Sequence, residues 1–268
     1  MRIWTFAAAG LLLASCSQQE SRPAETAEVT FDGADASVAA AKVTHGERLS
    51  KVLGCQGCHG PNLQGKRFYE LYASNLTREV PKYSDVQLER LLRGGIRPSG
   101  ADLWAMPSDI FQHLADADLI ALTAYLRTFQ PAGPPTGKAL PLDAETKKLI
   151  ASGEIMPAAD EVRKARLQTP LDLGQEHALG RYITEVTCAE CHGPKLEGHA
   201  GDTPDLALAG SYTRAEFETL LTKGVLPGGR KFKNKLMGMV ARNRFSYLTT
   251  HERDALYAYL KARAERPQ

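Results

Sequence analysis

Apolar residues recur at helical spacing in two pairs of segments that follow the same order along the chain. Residues 83–100 (YSDVQLERLLRGGIRPSG) line up with residues 212–229 (YTRAEFETLLTKGVLPGG). Residues 113–129 (HLADADLIALTAYLRTF) line up in the same way with residues 247–263 (YLTTHERDALYAYLKAR). Apolar positions three and four residues apart form one face of an amphipathic helix. The pattern therefore predicts two helices in each half of the chain.

Helix boundaries follow from the residues that flank these stripes. Glycines and a proline end each helix of the first pair, while Asp116 and Thr250 are the expected N-caps of the later pair. No segment alternates apolar and polar residues strongly enough to predict a strand. The predicted fold class is therefore all-α.

A third repeated element precedes these helices in each half. Residues 54–65 read GCQGCHGPNLQG and residues 187–198 read TCAECHGPKLEG. The same landmarks recur in one order, which indicates a duplicated domain of about 90 residues. The predicted boundaries are 41–130 for the first copy and 177–268 for the second.

Two segments lie outside the copies. Residues 131–176 contain six prolines and are predicted to be a linker, with one short helix from Ala144 to Ser152 capped by Asp143. Residues 16–40 are polar, alanine-rich and poor in large apolar groups, which predicts a flexible tether.

The first residues have the pattern of an export signal. After Arg2, an apolar run too short to span a bilayer leads to Leu13-Ala14-Ser15-Cys16. This ending resembles a bacterial lipobox, in which 1–15 is removed and Cys16 is lipidated; plain secretion and an anchor helix are the alternatives. The leading interpretation places the protein on the periplasmic side of a bacterial membrane. Ser17 favours the outer membrane.

Net charge and the placement of the cysteines bear on two further questions, whether the protein binds nucleic acid and whether it contains a disulfide. The formal net charge is +2, so overall charge gives no indication of a nucleic-acid partner. Of the five cysteines, one is the predicted lipid site and four form two C-x-x-C pairs. No cysteine is left over for a structural disulfide.

The C-x-x-C-H motif is the attachment signature of c-type haem. Two thiols three positions apart on one helical turn reach the two porphyrin vinyl groups, and the next histidine binds the iron. A thioredoxin-type pair would need a βαβ setting, and a zinc site would need four ligands, which the two motifs could supply together. Two copies in an exported helical chain favour haem, with thioethers at four cysteines and iron ligands at two histidines: Cys55, Cys58, His59, Cys188, Cys191 and His192.

Both halves resemble class I cytochrome c domains, and the whole resembles the di-haem cytochrome c family of bacterial respiratory electron carriers. The resemblance covers roughly residues 42–129 and 177–265. It implies two haem c groups, each with a methionine from the loop before the last helix as sixth iron ligand. Met106 is that residue in the first copy. In the second copy, counts from the two flanking landmarks disagree by an insertion and leave both Met237 and Met239 open. The resemblance favours Met237, because similar sequences have a single methionine there, before a run like Val240 to Phe245.

The resemblance implies a function without catalytic residues of its own. Met/His ligation raises the reduction potential and leaves no vacant iron position, as expected for an electron carrier. The implied partners are redox proteins: a dehydrogenase as donor, and another cytochrome or an oxidase as acceptor. Two alternatives remain, a di-haem peroxidase and a cytochrome subunit of a membrane dehydrogenase complex.

A basic run surrounds the second methionine loop. Between Thr219 and His251 there are seven basic residues and no acidic one. Such a run is either an ordinary solvated loop, a docking surface for an acidic redox partner, or a contact with anionic lipid. Its members are Lys223, Arg230, Lys231, Lys233, Lys235, Arg242 and Arg244.

Overall fold

The computed structural model describes residues 28–68, 70–232 and 235–266, and helices dominate throughout these residues. A single short antiparallel hairpin accompanies them in this described part. The first copy contains α1 (Ala39–Val52), α2 (Cys55–His59), β1 (Lys66–Phe68), β2 (Leu71–Ala73), α3 (Leu76–Glu79), α4 (Asp85–Gly94), α5 (Ser108–Phe111) and α6 (Asp116–Leu126). Two helices follow in the connecting segment, α7 (Ala144–Ser152) and α8 (Ala158–Ala165). The second copy contains α9 (Ala178–Ile183), α10 (Ala189–His192), α11 (Arg214–Lys223), α12 (Lys235–Asn243) and α13 (Thr250–Ala264). The all-α prediction is confirmed.

The stripe-bearing helices α4 and α11 begin and end by the same devices. A capping box joins Ser84 to Gln87 at the start of α4, and Thr213 to Glu216 at the start of α11. A left-handed glycine follows each helix. The predicted caps of the last helices are wrong by one residue: Ala115 precedes α6 without a side-chain cap, and Thr249 caps α13.

Each copy is closed by a crossing of its first and last helices at a glycine. A Cβ on Gly46 would lie 1.9 Å from the carbonyl oxygen of Ala121 in α6. A Cβ on Gly180 would lie 2.2 Å from that of Ala255 in α13. Only glycine permits backbones to approach so closely, which explains why this residue precedes both C-x-x-C-H motifs.

The copies differ by one residue between this glycine and the motif. In the first copy the chain leaves α1 and turns at Gly54, whose φ is 82°, before α2 begins. In the second copy the helix continues from α9 through a π-helical turn, Thr184–Cys188, into α10. In the first copy, a left-handed glycine accommodates the extra residue. In the second copy, which lacks this residue, a wider helical turn connects the first helix directly to the motif.

The connecting segment packs on the first copy along much of its length. Helix α7 has the predicted bounds and the predicted cap, with Asp143 accepting from the Thr146 amide at 2.7 Å. Helix α8 was not predicted; Ala158, its first residue, is fully buried against Gly95. Asn75 donates to the carbonyl of Ala132 at 2.8 Å, which holds the start of the segment in place.

Residues 28–38 correct the prediction of a flexible tether through residue 40. Phe31 is buried, and its ring lies 5.3 Å from that of Tyr182 in the second copy. The Phe31 amide donates to Asp118 at 3.0 Å, and the Asp32 amide donates to Glu252 at 2.9 Å. The prediction of a flexible tether rested on the scarcity of large apolar residues in this segment, but one of them, Phe31, fills space between the copies.

The two copies face each other through matching positions. Arg48 and Tyr182 each lie two residues after a packing glycine, and Asp118 and Glu252 each lie three residues before a packing alanine. Arg48 binds Glu252 at 2.7 Å, and the Tyr182 hydroxyl donates to Asp118 at 2.7 Å. Position i of each copy therefore contacts position j of the other, the pattern of an isologous interface.

A second pair of contacts repeats this relation. His113 of the first copy pairs with Glu185 of the second at 3.3 Å. At the matching positions, the Lys51 ammonium lies 5.0 Å from the centre of the Tyr247 ring. One contact joins an imidazole to a carboxylate and the other joins an ammonium to an aromatic ring, but both connect matching positions of the two copies.

The predicted export segment 1–15, the lipid site Cys16 and the tether through residue 27 lie outside the described residues. Among the residues described, no helix has both the length and the apolar character needed to cross a bilayer.

Candidate haem-binding sites

The first motif lies on α2, where one short helix presents two thiols and an imidazole. His59 is hydrogen-bonded through Nδ1 to the carbonyl oxygen of Ser74 at 2.8 Å. A carbonyl only accepts, so Nδ1 carries the proton and Nε2 keeps its lone pair. Burial lowers the pKa of His59, which also favours the neutral ring. The side chain is thus prepared to bind a metal through Nε2.

A cavity of about 310 Å³ adjoins this helix. Its size is within the range of about 300–1,000 Å³ typical of ligand pockets. Cys55, Cys58 and His59 line it together with Met106, which packs against the hydrophobic core. The structure therefore brings the four residues predicted for the first haem to one cavity. Thr136 of the connecting segment also lines the cavity.

Arg97 fits a cavity that takes an anionic group. It lines the same space, and its Nε is buried with no hydrogen-bond partner among the described residues. A buried donor without a partner costs free energy unless a ligand satisfies it, and a haem carries two carboxylates. The matching position of the second copy, before Pro227, is Leu226.

The second motif repeats the local geometry of the first. His192 is bonded through Nδ1 to the carbonyl oxygen of Pro204 at 2.8 Å, and burial lowers the pKa of His192. After each motif the chain turns back, so that Gly65 and Gly198 donate to the carbonyls of His59 and His192 at 2.8 Å. The sequence repetition thus extends to the hydrogen bonds that orient both imidazoles.

The leucine in each repeated L-x-G has an unusual backbone conformation. Leu63 and Leu196 have φ values of 56° and 63°, although both side chains are buried. A non-glycine residue in this region is strained. The same conformation recurs at the same place in both copies, so the buried leucine is part of the repeated turn that follows each motif.

The two candidate methionines of the second copy occupy different environments on α12. Met237 is half-buried and packs against the hydrophobic core. Met239 is 45% exposed. Burial therefore favours Met237 as the residue directed inward.

The four motif cysteines form no disulfide within the described residues. Burial raises the pKa of Cys55 to about 12 and that of Cys188 to about 11, and it also raises the pKa of Cys58 and Cys191. Before haem attachment the thiols are therefore neutral at physiological pH.

The two motifs approach each other across the interface between the copies. Glu190, between Cys188 and Cys191 in sequence, lines the cavity of the first site. It is paired with Arg244 at 2.6 Å. Beyond the dominant effect of burial, Glu190 raises and Arg244 lowers the pKa of all four motif thiols. The sequence does not predict this ion pair, because Arg244 and Glu190 lie 54 residues apart and Arg244 belongs to a run of basic residues.

The rest of the basic run is at the surface. Lys223, Arg230, Lys231, Lys235 and Arg242 are exposed, whereas Lys233 lies outside the described residues. Among the members of the run that the structure describes, Arg244 alone departs from the prediction of a solvated or docking loop, because its ion pair holds it within the protein.

Two other histidines are accounted for by their surroundings. His199 is exposed and lies in the loop that leads to Pro204, whose carbonyl accepts from His192, so it is on the same side of the second site as His192. His45 is buried and bonded to Asp118 at 2.8 Å. In the described ranges no three His, Cys, Asp or Glu side chains form a cluster that could hold a metal ion.

Comparison with known proteins gives two kinds of match. The profile of the family named cytochrome c matches residues 43–130 and again residues 177–264. The cytochrome subunit of fructose dehydrogenase from Gluconobacter japonicus is 27% identical over 172 residues, which is 57% of this chain and 35% of that protein. A subunit of nicotinate dehydrogenase from Pseudomonas putida is 27% identical over 197 residues, 64% of this chain and 16% of that protein. The chain thus covers about a third and a sixth of the length of these relatives.

Proposed function

The chain belongs to the cytochrome c family, and from this premise we propose that it is a di-haem electron carrier with His/Met-ligated irons. The observation that carries the proposal is the meeting of the two motifs, where Glu190 of the second lines the cavity of the first. Electrons pass directly between two redox centres when both centres are held close together in one structure. Two attachment helices that share one interface provide this arrangement.

Two cytochrome c domains carry two covalently bound haem c groups, and each haem supplies one-electron exchange between ferrous and ferric iron. The residues of the chain hold and orient these groups. Cys55 and Cys58 would form the thioethers of the first site, and His59 would bind iron through Nε2, with Ser74 fixing its tautomer. Met106, which lines the same cavity, would be the second protein ligand of that iron and would leave no position for water or peroxide.

The ligand proposal is tested in the holoprotein by methionine replacement. We expect Met106→Leu to remove the sulfur-to-iron band of one ferric haem and to lower its reduction potential. Met237→Leu should do the same at the second haem, while Met239→Leu, the matched control, should leave both unchanged. If Met239→Leu alone alters the second haem, Met239 is the ligand. Turnover of peroxide by the unaltered protein would instead favour the peroxidase alternative.

The donor in this proposal is a dehydrogenase. Support comes from the relatives, one described as the cytochrome subunit of fructose dehydrogenase and the other as a subunit of nicotinate dehydrogenase. The chain then acts as an electron acceptor, either as a separate protein or as a subunit of a complex. Purification from native membranes distinguishes these: a stable complex with a flavin, molybdenum or quinone dehydrogenase identifies a subunit, and a monomer identifies a separate carrier.

Membrane attachment through Cys16 on the periplasmic side, in the outer membrane, is part of the same proposal. The sequence Leu13-Ala14-Ser15-Cys16 supports it. Labelled fatty acid should enter the unaltered protein and not Cys16→Ser, and the variant should be released in soluble form. Labelling that is the same in both would contradict lipidation at Cys16.

The exposed basic residues support an acidic partner steered by charge. We expect Lys231→Glu with Lys235→Glu to slow reduction by the partner at low salt and to weaken the dependence of the rate on ionic strength. Arg127→Glu, a charge reversal in the first copy, is the control. A rate and salt dependence equal to those of the unaltered protein would show that docking occurs elsewhere.

A further inference from the structure

One ion pair lies between the two haem-binding sites. Arg244 Nη1 binds Glu190 Oε2 at 2.6 Å, and Arg244 Nε donates to the carbonyl oxygen of Val52 at 3.0 Å. The arginine therefore extends from the second copy to the backbone that leads into the first motif. A Cβ on Gly54 would lie 2.9 Å from Arg244 Nε, so the contact with that turn is close.

Both charges of this pair are near both sites. Glu190 belongs to the second motif and lines the cavity of the first. The Arg244 side chain is only 12% exposed, which limits screening of its charge by water. Its Nη2 is buried and has no hydrogen-bond partner in the described part of the chain. The pair thus places one cation and one anion beside the cysteines of both motifs.

Neither charge has a counterpart in the other copy. Phe245 corresponds to Phe111, so the residue that matches Arg244 is Ile110. Within the motifs, Glu190 corresponds to Gly57. Other contacts between the copies recur at matching positions, whereas the Arg244–Glu190 pair occurs once and has no equivalent among the described residues. Both members of the pair belong to the second copy, so the pair is not placed symmetrically about the two sites.

We propose that the Arg244–Glu190 pair sets the difference in reduction potential between the two haems and so the direction of internal electron transfer. The proposal rests on the proposed electron-carrier function. Reduction adds one electron to a haem iron and lowers its charge by one unit, with no bond made or broken. A nearby cation stabilises the reduced form and a nearby anion the oxidised form, so the two members of the pair act in opposite directions.

The test is a spectroelectrochemical titration of the holoprotein and of Arg244→Gln, Glu190→Gln and the double variant. We expect Arg244→Gln to lower the potential of at least one haem by about 59 mV, which corresponds to a tenfold change in a one-electron equilibrium constant. Glu190→Gln should raise the potential by a similar amount. The double variant should differ from the unaltered protein in the separation of the two potentials, because it removes the whole pair that sets this separation.

Matched controls separate this effect from general charge and from structure. Arg242→Gln removes an exposed cation two residues away, and Glu197→Gln removes an exposed anion after the second motif. Neither should move either potential. Haem content and the thermal midpoint report whether each variant is intact.

The outcomes distinguish this inference from the function on which it rests. If the variants leave the separation of the two potentials unchanged, or if both single variants shift the potentials in the same direction, while haem content is unchanged, the pair is only a structural contact. Failure of the unaltered protein to accept electrons from any dehydrogenase would overturn the proposed donor, yet the opposite shifts would still support the role of the pair.

Discussion

The glycine at the helix crossing of the second copy gives a sharp prediction. Gly180→Ala would place a methyl group 2.2 Å from the Ala255 oxygen and 2.5 Å from the Tyr259 Cβ. Ordinary contacts of this kind are about 3.4 Å, so α9 and α13 must separate by about 1 Å. No side-chain rotation relieves the clash, because the nearest atom belongs to the backbone.

The expected cost follows from two opposing effects. Overpacking of this kind costs about 3 kcal/mol, and the higher helix propensity of alanine returns about 1 kcal/mol. The net loss of about 2 kcal/mol corresponds to a fall in the thermal midpoint of about 4–8 °C for a domain of 150–250 residues. Urea and thermal unfolding of the holoprotein, followed by circular dichroism, measure it.

A matched control and a counterpart sharpen the test. A Cβ on Gly94 would lie 3.5 Å from the Ile96 side chain, an ordinary contact, so Gly94→Ala should leave the midpoint unchanged or raise it. Gly46→Ala, with its 1.9 Å approach, should be at least as damaging as Gly180→Ala. A Gly180→Ala protein as stable as the Gly94→Ala protein would refute the close crossing.

Three further predictions concern the connecting segment and the interface. Burial, and to a smaller extent the charge of Asp109, raises the pKa of Glu161 from 4.5 to about 7. The folded state therefore binds this proton more tightly than the unfolded state, and the free energy of unfolding falls as the pH rises from 4.5 to 7. Glu161→Gln should remove that fall and gain about 1 kcal/mol at pH 8, allowing for the half-exposed position; identical pH profiles would contradict this. Tyr182→Phe leaves Asp118 and a backbone amide each short of one bond and should cost about 1–3 kcal/mol in urea unfolding. Phe31→Ala should cost about 3–4 kcal/mol, and a cost near zero would return this residue to a flexible tether.

The repeated parts of the chain were predictable because each follows from local pattern. The stripes around Leu88 and Phe217 predict helices, and the C-x-x-C-H motifs predict where two haems attach, from spacing alone. Local pattern also predicted α7, since Asp143 is a good cap. These features need no knowledge of how the two copies lie relative to each other.

The features that were missed depend on that relation. Asp118 and Glu252 are buried, yet acidic residues in the first turn of a helix are usually explained by the helix dipole at an exposed surface. Helix α8 is short and follows a proline, and its docking depends on the fit of Ala158 to Gly95, which no periodicity reveals. Duplication predicts two similar domains but carries no information about the contact between them.

The isologous contact has a mechanical consequence. Phe31, Asp118 and Glu252 are buried because both copies surround them, so each copy completes the interior of the other. Moving the copies apart would expose both carboxylates and break the bonds that Tyr182 makes to Asp118 and Arg48 makes to Glu252, which opposes hinge motion between the copies. The spacing of the two centres is therefore a fixed dimension of the fold, and the rate of exchange between them should be insensitive to solvent viscosity.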